Sequence, residues 1–119
     1  MNDKKIKNYL LKIEKKLRNP SKELGEHLFK FVTRLTPIVN VDLLIRNKKK
    51  QILLTWRKSS THYNAGWHVP GGIIRLGERL ENRVFKVAKK ELNTEITFRT
   101  KPVMIHQMLL KQKNRSHFI

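Results

Sequence analysis

The chain contains no cysteine, so disulfide bonds, thiolate metal sites and cysteine nucleophiles are all excluded. It also lacks any apolar run that approaches the roughly 20 residues of a membrane span, and its first residues lack the continuous apolar core of a signal peptide. These absences predict a cytoplasmic protein from a reducing compartment, with no membrane partner.

Acidic residues are scarce: 9 Asp and Glu stand against 27 Lys and Arg, which leaves a formal net charge of +18. Such a surface attracts polyanions, whether nucleic acid, a membrane surface or small substrates that carry phosphates. Composition does not distinguish these partners, and a lysine-rich solvated surface without a function is an equal alternative. The length of 119 residues suits one domain with a real core.

Two basic helices are predicted to form an N-terminal segment over residues 1–35. Apolar residues recur at three- and four-residue steps from 3 to 17, which is typical of an amphipathic helix. Ser21 is predicted to cap the second helix, with Glu23 near its first turn. The Thr-Pro pair at 36–37 ends that helix.

The following residues alternate between apolar and polar positions, which indicates β-strands. The stretches "IVNVDLLIR" and "QILLTWR" flank an Asn-Lys turn and predict a β-hairpin. A helix is predicted over "ERLENRVFKVAKKEL", and strands over "PVMIHQMLLKQ" and "SHFI". Because strands and one helix follow without regular βαβ alternation, the fold class is predicted to be α+β.

Glu91 is the most informative carboxylate. On a helix, Val84, Val87 and Glu91 follow one another at steps of three and four residues, so Glu91 lies on the face that carries the apolar residues. A carboxylate there must be paired, protonated or bound to a cation, because burying it alone is costly. From position alone, an ion pair with a neighbouring Lys or Arg is the favoured alternative to a cation site.

Other candidates lie on and near the strands. Asp42 is central in an apolar strand, either as a partly exposed residue or as a site residue. Arg57 ends the next strand and is either solvated or a fork for phosphate oxygens. Gly71 and Gly72 let main-chain atoms approach a ligand or cation directly, or serve a tight turn after Pro70 that needs a positive φ.

The stretch "GWHVPGG", followed by Glu78 and Glu91, resembles the signature of Nudix hydrolases. Gly72 and Glu78 match the signature's glycine and first glutamate, and Glu91 matches the second member of its glutamate pair. The sequence departs from the signature where it has Lys86, Val87, Lys90 and Asn93 in place of arginine, glutamate, glutamate and glycine.

Over residues 29–92 the chain is similar to the GDP-mannose mannosyl hydrolase branch of that family. The shared features are "TPIVNVDLLI", a strand that ends in arginine, and Trp-x-x-Pro-Gly-Gly. The resemblance implies an α/β/α sandwich with a mixed sheet over residues 36–119, a homodimer, and Mg²⁺ or Mn²⁺ as cofactor. It also implies hydrolysis of a nucleotide sugar such as GDP-mannose by attack of water on the anomeric carbon.

The resemblance further implies roles for individual residues. They are Asp42, Arg57 and Glu91 as catalytic residues, Phe29, Arg57 and Trp67 as substrate-binding residues, and Gly71, Glu78 and Glu91 as metal ligands. In this assignment the cation neutralises the departing diphosphate, the arginine stabilises the same charge, and the aspartate orients the sugar or the arginine.

Some departures bear on activity. Ile73 stands where the branch has an arginine, and the family's general-base histidine follows the strand that begins at "SHFI", as do its last strands. His106 and His117 are expected to be surface or core imidazoles. We therefore expect the chain to bind its substrate but to hydrolyse it slowly. An ordinary Nudix pyrophosphatase that cuts between phosphorus atoms, and a basic protein that binds nucleic acid non-specifically, are the rival predictions.

Overall fold

The computed structural model of the protein describes residues 2–22, 24–60, 63–111 and 115–119. The helices and strands, in chain order, are α1 Asp3–Lys16, α2 Glu26–Leu35, β1 Ile38–Asp42, β2 Thr55–Arg57, β3 Gly66–His68, β4 Gly71–Ile73, α3 Leu80–Val87, a π-helical turn Ala88–Leu92, β5 Gln107–Leu110 and β6 Arg115–Phe118. Among the described residues, no helix combines the length and the apolar character that crossing a membrane requires.

The strands form one mixed sheet and one small sheet. The mixed sheet has the order β4-β1-β6-β5, in which β1 runs antiparallel to β4 and parallel to β6. Strands β5 and β6 are antiparallel neighbours, and β2 pairs with β3 in the separate two-stranded sheet. The predicted α+β class with a mixed sheet is confirmed.

The core lies between α3 and the inner face of β1. Val41 and Leu43 from the β1 segment pack against Val84, Val87 and Ala88, as the spacing of these apolar residues in the sequence predicts. Helix α3 contacts both β1 and β4, so it holds the glycine-rich strand against the centre of the sheet.

The N-terminal helices form as predicted, apart from the start of the second. Asn2 caps α1 by accepting a 3.0 Å hydrogen bond from the amide of Lys4. Helix α2 begins at Glu26 after Gly25, so the predicted cap at Ser21 is wrong. Instead, the Ser21 amide bonds to the side chain of Asn19 in a turn that precedes the helix. The prediction for Glu23 lies outside the described residues.

The predicted hairpin after β1 forms only around its turn. Asn47 closes the turn by accepting a 3.0 Å bond from the amide of Gln51, and a single bridge joins Arg46 to Ile52. Beyond this bridge the two stretches separate. A strand has two edges for pairing, and β4 and β6 occupy both edges of β1, so β2 pairs with β3 instead.

The helix that carries Glu91 is not α-helical throughout. It changes to a π-helical turn at Ala88 and ends at Asn93, whose φ of 50° and ψ of 37° are left-handed. Asparagine tolerates this conformation better than most residues. Asn93 therefore meets the conformational requirement at the position where the Nudix signature has a glycine.

Candidate active site

A cleft of 610 Å³ opens between α2, the mixed sheet and the β2–β3 pair. Many of the residues with predicted roles line it, namely Phe29, Asp42, Arg57, Gly71 and Glu91. Several basic side chains line it as well: Arg57, Arg75, Arg83, Lys86 and Lys90. Part of the excess positive charge of the chain therefore lies at the cleft, where it favours an anionic ligand.

Glu91 is held by three groups from other elements. Its Oε2 accepts a 3.0 Å hydrogen bond from the Thr55 hydroxyl and lies 3.1 Å from Nε2 of His68. Its Oε1 lies 3.4 Å from the amide nitrogen of Gly71, which donates to it. The contact between Glu91 and the main chain at Gly71 is therefore present. Among the described residues, the basic side chain that touches Glu91 is His68 rather than the lysine or arginine of the alternative.

His68 is a site residue that the sequence reasoning missed. In the antiparallel β2–β3 pair, His68 is opposite Thr55 and Gly66 is opposite Arg57, so these positions share one face. The alternation of side chains along a strand could have revealed this residue. His68 is next to Trp67, so the two side chains point to opposite faces, and their strand pairs with the strand that ends in Arg57.

Trp67 lies on the other face of the same pair. It is 66% exposed and packs edge to face against Trp56, with ring centroids 5.3 Å apart. Because neighbouring residues of a strand point to opposite faces, Trp67 cannot share the cleft with His68. The structure does not support a substrate-binding role for Trp67 in this cleft.

The Glu78 carboxylate is bonded to basic side chains and does not line the cleft. Its Oε2 accepts bonds from Arg83 Nε at 2.8 Å and from the amide of Arg75 at 3.0 Å, while Oε1 accepts one from Lys86 Nζ at 2.8 Å. Burial alone would raise the pKa of Glu78, but the bonds from Lys86, the Arg75 amide and Arg83 lower it to about 2. This geometry gives Glu78 a structural role that ties the loop after β4 to α3, and it does not favour the predicted role as a metal ligand.

Gly71 and Asp42 are register partners in the β1–β4 pair. A Cβ at Gly71 would overlap the Asp42 carboxylate and would come within 2.9 Å of the Val41 carbonyl oxygen. The positive-φ glycine of the described chain is Gly77, so the alternative that the Gly71-Gly72 pair needs a positive φ is wrong. What this strand requires is close approach, which agrees with the first interpretation of the double glycine.

Asp42 and Arg57 lie in one electrostatic group with the Glu91 cluster. Desolvation in the cleft raises the pKa of Asp42 although part of the residue remains open to solvent; His68 and Arg57 oppose the increase, and Glu91 adds to it. The guanidinium carbon of Arg57 lies 4.4 Å from the centroid of the Tyr63 ring, in a cation–π contact. That contact orients the arginine at the end of β2 beside the cleft.

The other end of the cleft contains Phe29 and His117. Nδ1 of His117 lies 3.1 Å from the side-chain oxygen of Asn40, and burial together with Arg115 lowers the pKa of this histidine. The guanidinium of Arg115 lies 5.3 Å from the Phe29 ring centroid. His117 is a buried imidazole at this end of the cleft, and His106 is an exposed one.

The donor groups fit a cation that is shared with a ligand. Among the described residues there is no cluster of three or more His, Cys, Asp or Glu side chains arranged to hold a metal. Glu91 supplies one carboxylate next to the close-packed main chain at Gly71. Mg²⁺ is commonly bound by one or two carboxylates together with substrate phosphates and water, so this sparse set is suitable for it.

The model of the NUDIX domain matches residues 36–116, and the chain belongs to the Nudix family. Members of this family generally use divalent metals such as Mg²⁺, and membership supports hydrolysis as the activity. The chain is 28% identical over 82 residues to the low-salt glycan biosynthesis protein Agl8 of Haloferax volcanii. The match covers 69% of this chain and 51% of that protein, so the chain spans about half the length of the curated relative it matches. No solved structure matches the chain significantly.

Proposed function

We propose that the protein is a divalent-metal-dependent hydrolase of a nucleoside-diphosphate sugar such as GDP-mannose, which it cleaves to free sugar and nucleoside diphosphate. The observation that carries the proposal is the contact of the Glu91 carboxylate with Gly71 in a cleft lined by basic side chains. A carboxylate in such a cleft is suited to share a cation with a diphosphate. The name of the relative Agl8, which refers to glycan biosynthesis, is consistent with a sugar-bearing substrate.

The charged residues of the cleft have different roles in the proposed reaction. Glu91 and the carbonyl oxygen of Gly71 would hold Mg²⁺, which would offset the negative charge of the leaving diphosphate. Arg57 binds the same diphosphate through its planar guanidinium, which stacking on Tyr63 orients. Asp42, beside Arg57 and Glu91, orients the sugar or the arginine.

The leaving group is the main difficulty of this reaction, and the lining suits it. Lys90 lines the cleft at the position where the Nudix signature has the first glutamate of its pair. A lysine there adds positive charge near the diphosphate and removes one acidic ligand from the metal site. Both effects favour departure of an intact diphosphate over attack on phosphorus.

Product analysis tests the proposal against its rival, the Nudix pyrophosphatase. The protein is incubated with GDP-mannose and Mg²⁺, and free mannose is measured separately from mannose phosphate. Free mannose with GDP supports the proposal, whereas mannose phosphate with GMP supports the pyrophosphatase. Because Ile73 stands where the branch has an arginine, one contact to the diphosphate is missing, and we expect turnover below the range of roughly 1 to 1,000 per second that is usual for enzymes.

Two variants connect the activity to the cleft. Glu91→Gln should abolish the response of the activity to Mg²⁺. Glu95→Gln makes the same change from carboxylate to carboxamide at an exposed residue outside the cleft, and it should leave the response intact. Arg57→Lys keeps the charge but loses the planar fork, so it should raise KM about 10-fold or more, a loss of roughly 1.4 kcal/mol. Unchanged Mg²⁺ dependence in the Glu91 variant would contradict the assignment.

The predicted homodimer and non-specific nucleic-acid binding stay predictions. The first is tested by the molecular mass in solution. The second is tested by a salt titration, because binding to phosphate backbones collapses between low and moderate salt, whereas metal-dependent nucleotide-sugar binding requires Mg²⁺ and is lost with a chelator.

A further inference from the structure

The two carboxylate oxygens of Glu91 have different surroundings. Oε2 accepts a 3.0 Å hydrogen bond from the Thr55 hydroxyl and lies 3.1 Å from Nε2 of His68. Oε1 lies 3.4 Å from the amide nitrogen of Gly71. Thr55 does not line the cleft and Gly71 does, so the hydroxyl reaches Oε2 from behind the cleft wall, while Oε1 is next to the strand that forms the wall.

The hydrogen-bond partners of His68 show where its proton lies. An ionised carboxylate only accepts hydrogen bonds, so the proton between His68 and Glu91 belongs to Nε2 of the imidazole. Nδ1 of His68 is buried and has no hydrogen-bond partner among the described residues, so no acceptor there favours the other tautomer. The imidazole therefore acts as a donor towards Glu91.

A count of acceptor sites shows which oxygen of Glu91 remains available. An ionised carboxylate has about four lone-pair sites, which are shared equally between its oxygens. Among the described residues, Thr55 and His68 occupy both sites of Oε2. Oε1 has its contact with the Gly71 amide at 3.4 Å, which is longer than usual for an N–H···O bond. Oε1 is therefore the oxygen that can accept a cation.

The direction of this carboxylate matters because the site has few acidic groups. Lys90 stands where the Nudix signature has the first glutamate of its pair, so ion binding depends more on how Glu91 is directed. The two donors that direct it lie opposite each other in the β2–β3 pair, which fixes their spacing. Hydrogen bonds to a charged group are also stronger than those between neutral groups.

We infer that Thr55 and His68 are positioning residues, which hold Glu91 through Oε2 so that Oε1 is directed at the cation. This inference rests on the cation site of the proposed function. It adds two residues that act on the site through Glu91 and do not bind the ion themselves.

The first test uses the full chain without metal or substrate. Nitrogen NMR of the imidazole ring distinguishes the two tautomers of a histidine, and we expect His68 to carry its proton on Nε2. Glu91→Leu removes the acceptor and should abolish this preference. A proton on Nδ1 in the wild type would overturn the inference, because Oε2 would then lack its second donor.

The second test measures GDP binding by calorimetry at a series of Mg²⁺ concentrations. Thr55→Val keeps the shape of the side chain but loses the hydroxyl, so it should raise the Mg²⁺ concentration for half-maximal effect about 10-fold. Thr55→Ser keeps the hydroxyl and should stay within about 3-fold of the wild type. His68→Met should have an effect similar to that of the valine variant. His68→Gln should recover most of the loss, because its amide can donate from the position of Nε2.

Thr97→Val is the matched control, because Thr97 is exposed and lies outside the cleft. GDP binding in the presence of a chelator should change by less than about 2-fold in the Thr55 variants, since Thr55 does not line the cleft. A larger loss would show a general disruption of the cleft and would overturn the positioning role.

The remaining outcomes separate this inference from the proposed function. If the wild type responds to Mg²⁺ and Thr55→Val responds equally, or if the serine and valine variants are equally impaired, the positioning role is wrong and the proposed function stands. If GDP binding by the wild type does not respond to Mg²⁺, the cation site is wrong and the positioning role fails with it. Circular dichroism detects any loss of folding, and the His68 pair decides the test if Thr55→Val is unfolded.

Discussion

Helices α1 and α3 look alike as sequences, since each combines apolar residues at helical spacing with a basic outer face. In the structure they differ. None of the residues of α1 is buried, and Tyr9 and Leu10 on its apolar face are 58% and 48% exposed. Helix α3 buries Val84 and Val87 to 5% and 4% exposure, and it packs on β1 and β4.

The difference shows that an amphipathic pattern specifies a helix but not a packing partner. Isolated helices of about 14 residues are marginal in water, and α1 depends on local stabilisation such as its cap at Asn2. Helix α3 has a sheet to cover, so its apolar residues leave water and stabilise the fold. We therefore infer that the contacts of α3 with the sheet, and not α1, stabilise the protein and position Glu91.

The largest expected effect comes from a charge placed in the core of α3. Val87→Asp puts a carboxylate among buried apolar side chains, and it should lower the free energy of unfolding by more than about 3 kcal/mol or prevent folding. Leu10→Asp makes the same kind of change on the exposed face of α1, and it should cost less than about 0.5 kcal/mol. Chemical denaturation measures both, and equal losses would contradict the comparison.

The next effect concerns Glu78, which connects the loop after β4 to α3. Glu78→Gln should cost roughly 1.5–3 kcal/mol near neutral pH, because bonds from Arg83 and Lys86 to a charged group are lost. The pKa of Glu78 falls from 4.5 to about 2 on folding, so its stabilising contribution is present above pH 4.5 and is lost as the pH falls through about 2. The difference in unfolding free energy between wild type and variant should shrink over that range.

Exposed Glu95 provides the reference for that measurement. Glu95→Gln should give a small difference that changes little between pH 4.5 and 2, since the residue lies at the surface. A Glu78 variant that is as stable as wild type at neutral pH would show that this cluster does not hold α3 to the loop.

A smaller effect is expected where α3 and β1 enclose the glycine strand. Gly71→Ala forces a methyl group against the Asp42 carboxylate and the Val41 carbonyl, and it should cost about 1–3 kcal/mol and weaken Mg²⁺ binding. Gly66→Ala is the control, because a Cβ there meets nothing within 4 Å. Thermal unfolding and ion titration of the two variants check the prediction, and equal behaviour would contradict it.

The smallest effect should follow removal of α1. A chain without residues 2–18 should keep its unfolding free energy to within about 0.5 kcal/mol and bind Mg²⁺ as before, because none of the residues of α1 is buried. This deletion tests whether α1 is separable from the rest of the chain. A loss of several kcal/mol would show that α1 packs on the domain in solution.

The prediction of the fold succeeded where neighbours along the chain decide the outcome. The spacing of apolar residues located α1, α3 and the strands β1 and β6, because each pattern reflects one element facing one side. The hairpin prediction failed beyond its turn, since β4 and β6 compete for the edges of β1 and no local pattern reveals that competition. The π-helical turn at Ala88 was likewise not visible in the spacing.

The candidate site divides in a similar way. Glu91, Gly71, Asp42 and Arg57 belong to motifs that can be recognised in the sequence, and the structure brings all of them to one cleft. The partner of Glu91 was different from the expected one, because the register of β2 and β3 puts His68 and Thr55 beside it.

By itself the sequence determined that α1, α3, β1 and β6 form, that the chain carries a large excess of positive charge, and which residues belong to the Nudix signature. These properties depend on side-chain type and on spacing within a few residues. Only the tertiary structure decided that β1 lies between β4 and β6, that Trp67 faces away from the cleft, and that His68 meets Glu91. Those outcomes depend on which distant strands pair and in which register, and a shift of one residue would turn every side chain of a strand to the opposite face.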